Sequence, residues 1–125
     1  MVKRAKGWIP ERQHVIWIDC NPQRGNEIRD VHPFLVLSPK AFNERTSLVI
    51  GLPMTTASYN ADNPFAVAVG VAGGRKTGQV SYVLCHQPKS FDWRLRGGAP
   101  HPMKRVTDAR FAEVLALLNQ VIQLV

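Results

Sequence analysis

The sequence is short of the clusters from which metal, nucleotide and hydrolase sites are usually built. Its 125 residues hold only two cysteines, Cys20 and Cys85, which form no CxxC pair. Its four histidines, His14, His32, His86 and His101, are widely spaced, with no HExxH. No metal site and no cofactor are therefore expected. No glycine-rich phosphate loop opens a helix and no nucleophile elbow is present, which excludes nucleotide hydrolysis and esterase chemistry of the usual kinds. No apolar run approaches the roughly 20 residues of a membrane span. The basic start, Met1 to Pro10, lacks the apolar stretch of a secretory signal. With both cysteines inside apolar runs, the expectation is a soluble, reduced, cytoplasmic chain without a membrane role.

Acidic residues are also scarce. Nine Asp and Glu face sixteen Lys and Arg, for a formal charge of +7 and a pI near 10.0. Such an excess favours a polyanionic partner, whether RNA, DNA, an anionic membrane or an acidic protein. Ten of the sixteen cations are arginines, whose planar fork suits phosphates and base edges, and this favours nucleic acid. The length suits a single domain covering residues 1–125, and 45% hydrophobic residues are enough for a globular core.

The apolar pattern predicts short strands. Val15-Ile16-Trp17-Ile18 is β-branched and aromatic, and it ends in the turn chemistry of Asp19-Cys20-Asn21-Pro22. Gln23 to Pro33 is polar and reads as a mobile surface loop. Strands follow at Phe34 to Leu37 and Ser47 to Leu52, separated by a turn or single helical turn at Ser38 to Asn43, and Pro53 closes the second of them. Tyr59 to Pro64 is a loop, Phe65 to Val69 a strand, Gly70 to Gly78 with Gly73-Gly74 a hairpin-like connection, and Gln79 to Cys85 a fifth strand. From Phe111 the apolar residues Val114, Leu115, Leu118, Val121, Ile122 and Val125 recur at helical steps, with Thr107 as N-cap and Asp108 in the first turn. Five strands without βαβ alternation, followed by one helix packed on them, predict an α+β fold built on a small antiparallel β-barrel.

Three features could carry chemistry. These are His32 at the end of the polar loop, the Thr55-Thr56 pair, and the run from Cys85 to Arg96, which interleaves aromatics with cations and hydroxyls as a base-stacking, phosphate-holding groove does. Each also has a purely structural reading: His32 filling a turn, the threonines satisfying local backbone, Trp93 packing on the barrel.

In this order the blocks resemble the MazF/PemK/Kid toxins of bacterial toxin–antitoxin pairs. They are Val15-Ile16-Trp17-Ile18-Asp19 with Asn21-Pro22, Gly25-Asn26-Glu27, Pro33 to Pro39 with Phe42-Asn43, Pro53-Met54-Thr55-Thr56, and Gln87 to Gly97. The resemblance implies an SH3-like, CcdB/MazF-like barrel with a C-terminal helix and a homodimer with a groove across it. It also implies metal-free cutting of single-stranded RNA at short motifs, leaving a 2′,3′-cyclic phosphate and a 5′-hydroxyl, and an acidic antitoxin that covers the same surface. The chain departs from the family pattern at Asn26, at His32 where an arginine usually precedes the proline, at Leu84, and at His86 where an acid or amide usually stands, while Thr55 matches.

Strand scission by a 2′-hydroxyl needs a base, an acid and a donor on the non-bridging oxygens. The expected catalytic set is His32 and His86 as base and acid in either order, Thr55 as phosphate donor, and Arg29 in place of the missing guanidinium. Arg24, Arg29, Lys89, Arg94 and Arg96 are expected along the RNA backbone, with Thr56 beside it, and Asn21, Asn26, Glu27 and Gln87 at base edges. The alternatives are a catalytically silent member that binds RNA or antitoxin, and a gyrase poison. The latter is disfavoured because the chain ends Ile122-Gln123-Leu124-Val125 where CcdB-type toxins carry Trp-Gly-Ile.

Overall fold

A computed structural model describes residues 6–71 and 78–125, so the Gly73-Gly74 expectation lies outside the described residues. In chain order the elements are β1 (His14–Asp19), β2 (Val31–Val36), α1 (Lys40–Thr46), β3 (Leu48–Thr55), a 3-10 turn (Ser58–Asp62), β4 (Ala66–Val71), β5 (Val80–Leu84), β6 (Lys89–Asp92), β7 (Ala99–Arg105) and α2 (Asp108–Ile122). They form an antiparallel seven-stranded sheet in the order β4-β5-β3-β2-β1-β7, with β6 on β3. The sheet curls as a half-barrel and buries apolar residues on both faces, because successive side chains of a strand point to opposite sides. One cluster holds Val15, Leu35, Leu52, Met54 and Val83 with Phe111, Val114 and Leu118 of α2. The other holds Ile16, Ile18, Phe34, Val36, Val49, Phe91 and Trp93.

The α+β half-barrel with its C-terminal helix is the expected fold, and the differences lie in the strands. Pro53 does not close β3. It pairs with Phe34 inside the strand. On the opposite edge β3 pairs with β6 up to Gly51↔Lys89 and with β5 from Met54↔Val83, so the missing N–H of Pro53 falls where the strand changes partners. Gly51 is obligatory, since a Cβ there would stand 2.1 Å from the Leu35 carbonyl oxygen. Two further strands were hidden. The tetrapeptide β6 is too short and charged to show alternation, and β7 carries Pro100 and Pro102, tolerated because β7 lies at the sheet edge. The polar loop ends earlier than its composition suggests, because His32 and Pro33 already pair with Ile18 and Trp17 of β1.

Ser38 to Asn43 leads into a complete short helix, α1, which ends at Ser47 in the left-handed conformation. Its fully buried Asn43 donates to the carbonyls of Pro10, at 2.9 Å, and Ser38, at 3.1 Å, and its own carbonyl accepts from Trp93 Nε1 at 2.8 Å. In α2 the Thr107 hydroxyl accepts from the Arg110 amide at 3.4 Å, as the N-cap expectation requires. The apolar stripe of α2 outlasts the sheet, and Val121, Ile122 and Val125 are exposed.

Candidate nucleic-acid interface

The β1–β2 loop is tied down by residues brought from far along the chain. Asn21 and Asp30 close its base, with Asn21 Nδ2 donating to Asp30 Oδ1 at 3.1 Å and the Asp30 amide donating to Asn21 Oδ1 at 3.2 Å. Arg96 lies over the Phe91 ring at 4.7 Å and donates to the carbonyl oxygens of Asp19, at 3.1 Å, and Asn21. From the β5–β6 turn, Gln87 accepts from the Ile28 amide at 3.0 Å and donates to the Asn26 carbonyl at 3.4 Å. Lys89 is ion-paired with Glu27 and donates to Gln23 Oε1 at 3.3 Å. The Lys89 ammonium lowers the Glu27 pKa from the ordinary carboxylate value, chiefly through that hydrogen bond. These groups give the loop a defined shape.

A cavity of about 470 Å³ opens where β2 begins and β3 ends. It is lined by His32, Thr55 and Thr56 together with Trp17, Ser81 and His101. His32 Nδ1 lies 3.1 Å from the Met54 carbonyl oxygen. A carbonyl can only accept, so the proton sits on Nδ1 and the neutral imidazole keeps its lone pair on Nε2. The Thr55 hydroxyl accepts from the Ala57 amide at 3.2 Å, which leaves its own hydrogen available to an anion.

Among the residues singled out in the sequence, His32, Thr55 and Thr56 meet at this cavity. His86 does not line it. Its exposed ring lies 5.5 Å from Phe65, tilted by 32°. Arg29 is exposed and donates to the Gly25 carbonyl at 3.3 Å, and Arg24 and Asn26 are exposed on the same loop. Arg94 stacks on Trp93 at 4.2 Å and donates to Ser47 Oγ at 2.9 Å, on the α1 side of the sheet. Trp17, Ser81 and His101 escaped sequence reasoning. Trp17 looked like core within an apolar run, and His101 stands between two prolines. Only the alternation of a strand, hidden there by Pro100 and Pro102, could have pointed to His101.

Among the described residues no group of three or more His, Cys, Asp or Glu is gathered to hold a metal ion, and no helix is long and apolar enough to cross a membrane.

Residues 11–122 match the PemK-like, MazF-like toxins of type II toxin–antitoxin systems, a span that includes every element of this fold. The chain belongs to the PemK/MazF toxin family. It is 31% identical to the endoribonuclease PemK of Escherichia coli over 97% of this chain and 96% of that one. It is 36% identical to the endoribonuclease toxin MazF of Escherichia coli K12 over 72% of this chain and 75% of that protein. Its fold is similar to the crystal structure of MazF from Deinococcus radiodurans, with a TM-score of 0.78 at 30% identity over 94% of this chain and 99% of that one. The MazF of a MazE–MazF complex from the same organism superposes with a TM-score of 0.74 at 29% identity. Within the PemK/MazF family, then, this member presents an imidazole at the cavity and a loop held by Gln87, Lys89 and Arg96.

Proposed function

We propose that this PemK/MazF-family chain is the toxin of a type II toxin–antitoxin pair, a cytoplasmic endoribonuclease that cuts single-stranded RNA at short sequences without a metal. The observation that carries the reading is the His32–Met54 bond, which leaves Nε2 free to act as a base beside the Thr55 hydroxyl. In the proposed step His32 Nε2 takes the proton of the 2′-hydroxyl, and the 2′-oxygen attacks the adjacent phosphorus. The bond to the 5′-oxygen breaks, and that oxygen takes a proton from an acid, leaving a 2′,3′-cyclic phosphate and a 5′-hydroxyl. Thr55 donates to a non-bridging oxygen, and Arg29, three residues before His32, supplies the cation. His86 is the proposed acid, and RNA engaging both histidines must run from the cavity across the end of β3 to the Phe65 edge.

The charge of +7 suits both RNA and an acidic antitoxin, and relatives of this fold occur in MazE–MazF complexes. A homodimer blocked by such an antitoxin is the proposed assembly. The test is cleavage of RNA oligonucleotides in EDTA across pH. The expected result is a bell-shaped profile that collapses in His32→Ala and in His86→Ala. Full activity in either variant removes that histidine from the mechanism.

One observation favours a second reading, a silent binder. Arg29 is engaged with the Gly25 carbonyl, and Lys89 and Arg96 hold the loop, so among the described residues no arginine side chain lines the cavity. RNA shifted in a gel without product on a denaturing gel, and no growth arrest on induction, would select it.

A further inference from the structure

The pairing of β1 with β7 sets Trp17 opposite Ala99, and His101, two residues on, stands on the same face of β7. The two rings meet at 4.5 Å between centroids with 54° between planes. The Met103 amide donates to His101 Nδ1 at 3.0 Å, so the neutral ring carries its hydrogen on Nε2. Burial lowers the His101 pKa, which favours this neutral, donating form.

His101 is 6% exposed and Ser81 3%. Among the described residues, neither His101 Nε2 nor the Ser81 hydroxyl has a protein partner, yet no side-chain polar atom sealed from solvent lacks one. Both atoms therefore reach an opening. The cavity that Ser81 lines is the one lined by Trp17, His32 and Thr55. His101 also borders a space of about 180 Å³, but its ring rests on Trp17, which lines only the larger cavity.

Two nearly buried donors that reach an open cavity are placed to bond a ligand whose acceptors match them. An indole wall favours a flat ring, and about 470 Å³ lies within the range of small-molecule sites. We propose that this cavity is a nucleobase subsite beside the reacting phosphate, in which Trp17 contacts the ring, and His101 Nε2 and Ser81 read the carbonyl oxygen, O6 of guanine or O4 of uracil, that stands where adenine and cytosine carry an amino group. This rests on the endoribonuclease reading and deepens it, naming residues that select the cut sequence apart from those that cut.

The experiment maps cleavage of a long RNA by wild type, Ser81→Ala, His101→Gln and His101→Leu, with thermal unfolding run in parallel. A second measurement titrates the intrinsic fluorescence of wild type and Trp17→Phe with uncleavable 2′-O-methyl oligonucleotides rich in guanine and uracil, or in adenine and cytosine. The expected result is a loss of preference for guanine or uracil at one position, roughly tenfold or more in His101→Leu, from loss of one hydrogen bond to a buried polar edge. His101→Gln, which keeps a donor near Nε2, should recover part of it. Quenching by the guanine- and uracil-rich oligonucleotide should vanish in Trp17→Phe. An unchanged motif in folded Ser81→Ala and His101→Leu proteins overturns the subsite while leaving the nuclease reading intact. Wild type that neither cuts nor binds RNA overturns both. A fluorescence change that follows protein dilution and ignores oligonucleotide overturns the subsite in favour of a contact between two copies.

Discussion

Gln87 offers a sharp test of what shapes the β1–β2 loop. Its amide was expected to read a base edge, but its oxygen accepts from the half-buried Ile28 amide and its nitrogen donates to the Asn26 carbonyl. Gln87→Leu keeps the bulk and removes both bonds. At a net of about 0.5–1.5 kcal/mol per hydrogen bond, the pair contributes about 1–3 kcal/mol, with the 3.0 Å bond to Ile28 outweighing the 3.4 Å one. A domain of this size loses roughly 3–5 °C of Tm per kcal/mol, so calorimetry should register a drop of several degrees. The local readout is more specific: amide exchange at Ile28 should accelerate while the exchange of β3 follows only the global change. RNA affinity should then fall for all sequences alike, because the loop must be ordered on binding. Unchanged Tm and Ile28 protection, together with an altered cleavage motif, would refute the reasoning and return Gln87 to base reading.

Asn43→Leu should cost about 3–5 kcal/mol in urea unfolding, because it strands the buried carbonyls of Pro10 and Ser38 and leaves the Ser38 hydroxyl only the more distant Ile50 carbonyl as acceptor; a loss below about 1 kcal/mol would mean that water replaces the amide. Burial raises both cysteine thiols to a pKa of about 11, so at pH 8 roughly one in a thousand is thiolate, and a thiol reagent should label native protein only at the rate of unfolding. His101 has a folded pKa below its ordinary value of 6.5, so the unfolded chain binds its proton first: this contribution to stability is full above about pH 6.5 and is lost as pH falls through the folded pKa. Urea titrations of wild type and His101→Gln between pH 5 and 8 should show a shallower slope in the variant, and equal slopes would assign the pH dependence to other groups.

Strand and helix periodicity made most of the architecture legible. Val15, Ile16, Ile18 and the α2 residues Phe111, Val114 and Leu118 are buried as their spacing demands. The failures share a cause. Pro53 reads as a break in isolation, and Pro100 and Pro102 hide the alternation of β7, yet each lies in a strand, at an edge or at a change of partner where an N–H is not needed. Whether such a position exists depends on which strand comes next in space, and that is information from residues tens of positions away. Likewise β6 is recognisable as a strand only through its register with Leu48 to Gly51.

The site was legible as a list of residue types but not as a division of labour. In sequence Arg24, Arg29, Lys89, Arg94 and Arg96 all read as cations for phosphate, whereas in the structure Arg96 and Lys89 bind the loop itself and Arg94 lies on Trp93. A guanidinium has five donors and a flat face, so a nearby carbonyl or ring competes with solvent and with any ligand for it. The exposed Arg24 and Arg29 remain on the loop as the cations best placed to meet RNA. The number of cations therefore overstates the number of phosphate contacts. Replacing Arg24 with Ala should flatten the dependence of log affinity on log salt by about 0.7, one single-strand phosphate contact, and Arg94→Ala should leave that slope unchanged while lowering Tm. Fluorescence anisotropy of labelled RNA at several salt concentrations measures both slopes. A change in the Arg94→Ala slope equal to that of Arg24→Ala would show that its stacking on Trp93 gives way to phosphate when RNA arrives.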